Sequence, residues 1–286
     1  MSYRRKHIKS KIHKIKPKKS ILKRPLFWIV LLFLIIVLSA SYFFLFYPGI
    51  QVKDIIISGN QKVPTLDIEN LISDNINNKI LGFVSSKSIF LVNPDKLRNE
   101  ILDKFPIIES AKVDRKFMQT LELQIYERVP VAVFCPSLDE SIGPENGNCY
   151  FIDDKGIVFE PVDVAPQDMA IVRQDMNNTQ ISVGEKAVQQ NIIDLILKVG
   201  KNLKDNFQMS IQTADIINSS RLNIKTNENW QIYFDLSPDS DANLQITKLN
   251  LLLGEGISQD SRKNLRYIDL RPKDRAIVCD NVECGP

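Results

Sequence analysis

The chain has 286 residues, room for about two domains, and its 37 Lys+Arg nearly balance 34 Asp+Glu. The balance hides a split. Residues 1–24 hold eleven bases, among them Lys18, Lys19, Lys23 and Arg24, and no acid, which leaves 26 bases against 34 acids, a net of −8, in residues 25–286. Both histidines, His7 and His13, lie in the basic stretch, so no Ser–His or Cys–His nucleophile pair can be assembled elsewhere.

The basic stretch runs into "PLFWIVLLFLIIVLSASYFFLFY", Pro25 to Tyr47, which has no charge. As a helix it spans about 34 Å, slightly more than the hydrocarbon core of a bilayer. Trp28 near one end, and Tyr42 and Tyr47 near the other, suit the two interfaces. The adjacent bases assign residues 1–24 to the cytoplasm and 48–286 to the outside. A cleaved signal peptide and a buried core helix are the alternatives. Ser39-Ala40-Ser41 offers only a weak cleavage site, and the apolar run continues through Phe43, Phe44 and Phe46. No soluble core explains such a run beside such a cluster, so a retained anchor is expected. The basic tail then reads as a topology signal that favours anionic lipid by about 1 kcal/mol per residue near the surface. A nucleic-acid site would need interleaved aromatics, and the tail offers only Tyr3.

Residues 50–128 read as strand, helix, helix, strand, strand. "VKDIIISGN" is a β run ending in a turn signal. "VPTLDIENLISDNI" follows, with Thr65 as candidate cap and Ile68, Leu71, Ile72 and Ile76 at helical spacing. "SIFLVNPDKLRNEILDKFP" predicts a short extended piece and a second helix: Asn93 caps, Pro94 takes the first turn, Leu97, Ile101 and Leu102 form one face, and Pro106 ends it. Two strands complete the unit. Ala111 and Val113 lie on the first; on the second, Leu121, Leu123 and Ile125 oppose Glu122, Gln124 and Tyr126.

Residues 129–279 read as a β-rich domain with flanking helices, and 280–286 as a C-terminal tail. "CYFIDDKGIVFE" predicts a hairpin turning at Asp153-Asp154-Lys155-Gly156. "VGEKAVQQNIIDLILKVGKNLKDNF" predicts a helix with a Val188, Ile192, Ile196, Val199, Leu203 stripe. "SRLNIKTNENWQIYFDLS" predicts a hairpin turning at Asn227 to Asn229, and "DANLQITKLNLLLGEG" a helix stopped by Gly254 or Gly256. "YIDLRPKDRAIVC" closes the pattern as a strand, Ile268 and Leu270 on one face, Tyr267, Asp269 and Arg271 on the other.

All four cysteines fall on the outer side, where an oxidising compartment suits two local disulfides, Cys135–Cys149 and Cys279–Cys284. Free thiols and a metal site are the alternatives; the second is weakened by the lack of a Cys-x-x-Cys pair and of histidine there. Catalytic motifs are missing as well: no Gly-x-Ser-x-Gly, no His-Glu-x-x-His, no phosphate loop. Asp153 and Asp154 read as turn residues rather than paired catalytic carboxylates, and Gly254-Glu255-Gly256 as a helix stop. A Ser–Lys dyad is the one catalytic pair left open. No cofactor is called for.

"VKDIIISGN", "SIFLVNPDKLRNEILDKFPIIESAKVDRKF", "TLELQIYERVPVAVF", "FIDDKGIVF" and "YIDLRPKDRAIV", in that order after an anchor, resemble the FtsQ/DivIB family of bacterial cell-division proteins, with an FtsQ-type POTRA domain at 50–128. The sequence departs from the family pattern at Met118-Gln119-Thr120-Leu121, where Pro-x-Thr-Leu is usual, in the Cys135–Cys149 insertion and at the cysteine-bearing end. The resemblance implies an α+β fold: a transmembrane helix, a βααββ POTRA domain and a β domain. It implies a non-enzymatic scaffold at the division septum that binds FtsB/DivIC-like and FtsL-like single-pass proteins and connects to septal peptidoglycan synthesis. An anchored cell-wall enzyme, or a POTRA-bearing assembly or transport component, is the alternative reading. In the family the POTRA unit docks and recruits, and the FtsB-like partner adds at the last strand. Tyr267, Ile268, Asp269, Leu270, Arg271, Ala276, Ile277 and Val278 are then the expected partner site, formed by β-augmentation. On this reading Pro272, Lys273, Asp274 and Arg275 blunt part of a free edge. Tyr267 to Arg271 stays open, Tyr267 offering aromatic surface and Arg271 pairing with a partner acid.

Overall fold

In the computed structural model, which describes residues 24–80, 84–116, 119–139, 149–176 and 181–280, the uncharged run is one helix, α1 (Pro25–Phe46). None of its residues is buried against protein. A 3-10 turn, Pro48–Ile50, carries the chain into the first folded unit, and Ile50 is buried there. The junction is tied by hydrogen bonds: Ser88 Oγ donates to the Phe44 carbonyl (2.8 Å), Ile89 N–H to the Ile50 carbonyl (2.9 Å) and Gln119 Nε2 to the Pro48 carbonyl (3.1 Å).

The first unit contains β1 (Asp54–Ser58), α2 (Thr65–Ile76), β2 (Asn78–Ile80), β3 (Val84–Ser86), α3 (Pro94–Lys104), β4 (Ile108–Lys116) and β5 (Thr120–Glu127). Its three-stranded sheet has the order β1-β5-β4, β1 parallel and β4 antiparallel to the central strand. The period-two pattern decides which face is covered. Ala111, Val113, Leu121, Leu123 and Ile125 are buried with Ile68, Leu71, Ile72 and Ile76 of α2 and Leu97 and Ile101 of α3. Asn93 caps α3, its side chain accepting from Asp95 N–H (3.0 Å) and Lys96 N–H (3.2 Å). Thr65 does not cap α2: it is the first helical residue, Pro64 holds the cap position, and its hydroxyl accepts from Asn60 Nδ2 (3.0 Å). The β2–β3 hairpin is an addition to the expected plan, and its three-residue strands are too short for alternation to register. The β1–α2 turn requires glycine. Gly59 has φ +87, and a Cβ there would stand 2.1 Å from the Ile125 carbonyl oxygen.

The second unit contains β6 (Ala132–Cys135), β7 (Cys149–Ile152), β8 (Val158–Val162), β9 (Ile171–Gln174), α4 (Gln190–Phe207), β10 (Ile211–Asn218), β11 (Arg221–Thr226), β12 (Gln231–Asp235), α5 (Ala242–Leu251), a π turn (Leu252–Gly256), α6 (Gln259–Arg262), β13 (Tyr267–Asp269) and β14 (Ile277–Cys279). Its strands form a nine-stranded sheet in the order β14-β13-β12-β11-β10-β9-β6-β7-β8. Both expected hairpins are present, β7–β8 and β11–β12. β6, β9, β10 and α6 are not among the expected elements. The stripe of α4 packs on the sheet as expected, although Val188 sits ahead of the helix as a buried residue in a bend. α5 ends at Leu251 and runs on as the π turn, which contains Gly254 and has Gly256 as its last residue.

The closing segment differs from the expectation. Tyr267 to Cys279 is not one strand with an open edge along Tyr267 to Arg271. The Arg271 N–H is taken by Asp269 Oδ1 (3.0 Å), Pro272 has no N–H, and the chain reverses, so β14 pairs antiparallel with β13 and covers that edge. β13 is held on its other side by β12 in parallel.

Cys135–Cys149 is a disulfide joining β6 and β7. Cys279 is also disulfide-bonded; Cys284, its expected partner, lies outside the described residues, as do Lys18, Lys19 and Lys23. Arg24 is exposed at the start of α1, its carbonyl accepting from Phe27 N–H (3.1 Å).

Candidate functional site at the β14 end of the sheet

Cross-strand register builds the site. On the face opposite α4, one row crosses the sheet residue by residue: Cys135 (β6), Arg173 (β9), Asp215 (β10), Asn223 (β11), Tyr233 (β12), Asp269 (β13) and Ile277 (β14). Toward the middle the row is closed on itself, since Arg173 forks onto Asp215 at 2.6 and 2.9 Å and the pair is largely buried. Toward β14 it opens. Tyr233 and Tyr267 stack at 5.1 Å between centroids, and the guanidinium groups of Arg221 (4.8 Å) and Arg271 (5.5 Å) lie over the Tyr233 ring. Tyr267 and Arg271 are half-buried and Ile277 is 42% exposed, whereas Tyr233 is buried.

Asp269 fixes Arg271. The guanidinium donates to both carboxylate oxygens, at 2.9 and 2.6 Å. Burial by itself would raise the Asp269 carboxyl, but the side-chain and backbone hydrogen bonds from Arg271 outweigh it and hold the group below the usual carboxylate range. The same pairing holds Arg271 above its ordinary value against the effect of burial. Burial raises the Tyr233 phenol, although Arg221 and Arg271 pull the other way. Arg271 is therefore already engaged, and its expected pairing with a partner acid would have to share Asp269 or displace it.

The eight expected partner residues divide by face. Ile268 and Leu270 are buried in the core with Ile232 and Phe234, and Ala276 and Val278 pack against that core from its rim. Tyr267, Asp269, Arg271 and Ile277 line the opposite face. The register also settles which main-chain groups of β14 look outward. The Arg266 carbonyl accepts from Gln231 N–H and Leu270 N–H donates to the Tyr233 carbonyl, so Ile268 between them turns toward β12, while Arg266 N–H donates to the Cys279 carbonyl on the β14 side. Tyr267 and Asp269 turn toward β14, opposite Cys279 and Ile277. The N–H and C=O of Val278 therefore face away from β13, and among the described residues no strand pairs with that edge.

Sequence reasoning missed Tyr233 and Arg221. Both alternate outward on strands that were recognised, but only the register sets them beside Tyr267 and Arg271. It also missed the role of Asp153. That residue does make its turn, accepting at Oδ1 from Lys155 N–H (3.0 Å) and Ile157 N–H (2.8 Å), but its other oxygen pairs with Arg128 at the end of the first unit, and both side chains are buried.

The comparisons with known proteins agree with this architecture. Residues 50–128 match the model of the POTRA domain, FtsQ-type, and residues 144–271 match that of the FtsQ/DivIB cell-division protein C-terminal region. The chain belongs to the FtsQ/DivIB family. Its role is accordingly in cell division, in a family of non-enzymatic division proteins that work through protein–protein contacts. α1, long and apolar enough to cross a membrane, fits a single-pass membrane protein of the division site. No curated protein matches the chain. In this FtsQ/DivIB protein the second match ends at Arg271, within the Tyr233–Tyr267–Arg271 cluster and short of β14.

Proposed function

We propose that this FtsQ/DivIB protein is a non-enzymatic divisome scaffold. Residues 1–24 are cytoplasmic, α1 spans the membrane, and residues 48–286 lie outside. There the 50–128 unit serves recruitment and the β domain binds FtsB/DivIC-like and FtsL-like single-pass partners, linking early division proteins to septal peptidoglycan synthesis. The partner strand adds to β14, whose outward main chain at Val278 supplies hydrogen bonds, while Tyr267, Tyr233, Arg221 and Arg271 supply a neighbouring side-chain surface. The supporting observation is the outward Val278 edge beside that cluster, since half-exposed Tyr and Arg side chains are the usual anchors of an interface.

Val278→Pro tests the reading because it removes an outward donor and leaves the N–H groups of Ile277 and Cys279 facing β13. In the detergent-solubilised full chain it should weaken binding of an FtsB/DivIC-like partner by at least about tenfold, about 1.4 kcal/mol, with the thermal midpoint close to the parent's. Unchanged affinity by calorimetry would move the partner elsewhere. Topology is checked separately by protease added to spheroplasts, which should degrade residues 48–286.

A further inference from the structure

The outward end of α1 is in contact with the 50–128 unit through a short apolar turn. Residues 88–91 close it, Leu91 N–H donating to the Ser88 carbonyl (3.0 Å), and its tip presents Phe90, 57% exposed, and Leu91, 37% exposed. The turn is fixed to the helix by the Ser88 Oγ to Phe44 hydrogen bond, and the Phe90 ring meets the Phe44 ring edge-on at 5.8 Å. Phe44 lies about 29 Å along the helix from Pro25, at the outer boundary of a hydrocarbon core of about 30 Å. A ring in contact with it sits at the same depth. Exposed Lys87 lies next to the turn, where an ammonium can reach anionic headgroups while the apolar tip is immersed.

We infer that Phe90 and Leu91 are a second membrane contact: the turn inserts into the outer-leaflet interface and seats the first folded unit on the lipid surface. The inference rests on reading α1 as membrane-spanning. The occupant is lipid because this apolar surface is continuous, through Phe44, with the helix that lipid must surround, and a charge-free α1 with no buried residue has no other cover among the described residues.

The full chain carrying Trp28→Phe and Phe90→Trp, in nanodiscs of phosphatidylcholine and phosphatidylglycerol, reports the contact after subtraction of the Trp28→Phe parent. Bromination of the acyl chains near the headgroup should cut the emission of the indole at position 90 by at least about twofold, and that emission should be blue-shifted, as for an interfacial aromatic. An indole placed by Leu66→Trp on the exposed side of α2 should be unaffected. Red-shifted, unquenched emission at position 90 overturns the inference. So does blue-shifted but unquenched emission, which would mean a protein chain covers the turn. In the natural sequence Trp28 must itself be quenched; if it is not, the membrane-spanning reading fails and takes this inference with it. A quenched Trp28 with an unquenched position 90 overturns the inference alone. The signal of buried Trp230 monitors folding, and Leu91→Trp provides the same readings if Phe90→Trp perturbs it.

Discussion

The two ends of the nine-stranded sheet are used differently. At the β8 end, charges are committed inside the molecule. Arg128 pairs with Asp153 and also donates through Nε to the Pro106 carbonyl (2.9 Å); Lys155 meets Glu109 at 2.7 Å, and Lys62 meets Glu160 at 2.5 Å. These pairs bind the β domain to the 50–128 unit, and the segment at Gly184 to Lys186 covers the start of β8. At the β14 end, a three-residue strand closes the sheet, and Tyr267, Arg221 and Arg271 stay half-exposed around buried Tyr233. A strand edge left open is a liability that proteins usually blunt. One end is therefore spent on internal cohesion, and the other leaves exposed the surface proposed above for a partner.

The sharpest way to break this contrast is Asp153→Ala, which strands the buried Arg128 charge. It should cost about 3 to 5 kcal/mol in denaturant unfolding of the full chain, whereas Arg128→Met with Asp153→Asn, which keeps the Oδ1 acceptor for the Lys155 and Ile157 N–H groups, should restore much of the loss. A small effect of the single change would mean the β8 end is not held by this pair. Removing the β6–β7 cross-link with Cys135→Ser and Cys149→Ser should lower stability by about 3 kcal/mol for a loop of this length, measured in the same way, and should leave partner binding unchanged because the link lies far along the strand order from β14.

At the β14 end, effects should appear in binding rather than in stability. Tyr267→Ala should weaken the FtsB/DivIC-like partner by about 1 kcal/mol or more, about sixfold by calorimetry. Glu160→Ala at the β8 end should not change it. Equal losses from both would erase the distinction between the ends. The smallest effect is that of pH on Asp269. Its folded carboxyl lies below the unfolded value of about 3.9, so its contribution is complete above about pH 4 and is lost as pH falls through the lower folded value. Asp269→Asn should remove that acid-side slope and cost about 0.5 to 1 kcal/mol at neutral pH, Arg271 being partly exposed. An unchanged acid profile would mean that the Arg271 pairing does not persist in solution.

Sequence alone determined the apolar helix, the basic stretch before it and the two-helix three-strand unit, and it offered Cys135–Cys149 as a candidate pair that the structure joins. Each rests on short-range physics: an uncharged run of membrane length, alternation along Leu121, Leu123 and Ile125, the Asn93 cap, and cysteines close enough in sequence to find each other. β9 and β10 escaped because a buried four-residue strand such as Ile171–Gln174 carries little periodic signal, and because Asp215 breaks the apolar look of its strand while being satisfied by Arg173 across the sheet. Only the tertiary structure decided that Tyr267 to Cys279 folds back as two strands, that Val278 rather than Tyr267 to Arg271 presents the outer edge, and that Tyr233 and Arg221 join the site. Those facts depend on register between strands distant in sequence, and strand pairing is set by how a whole face fits its core, which no single segment encodes.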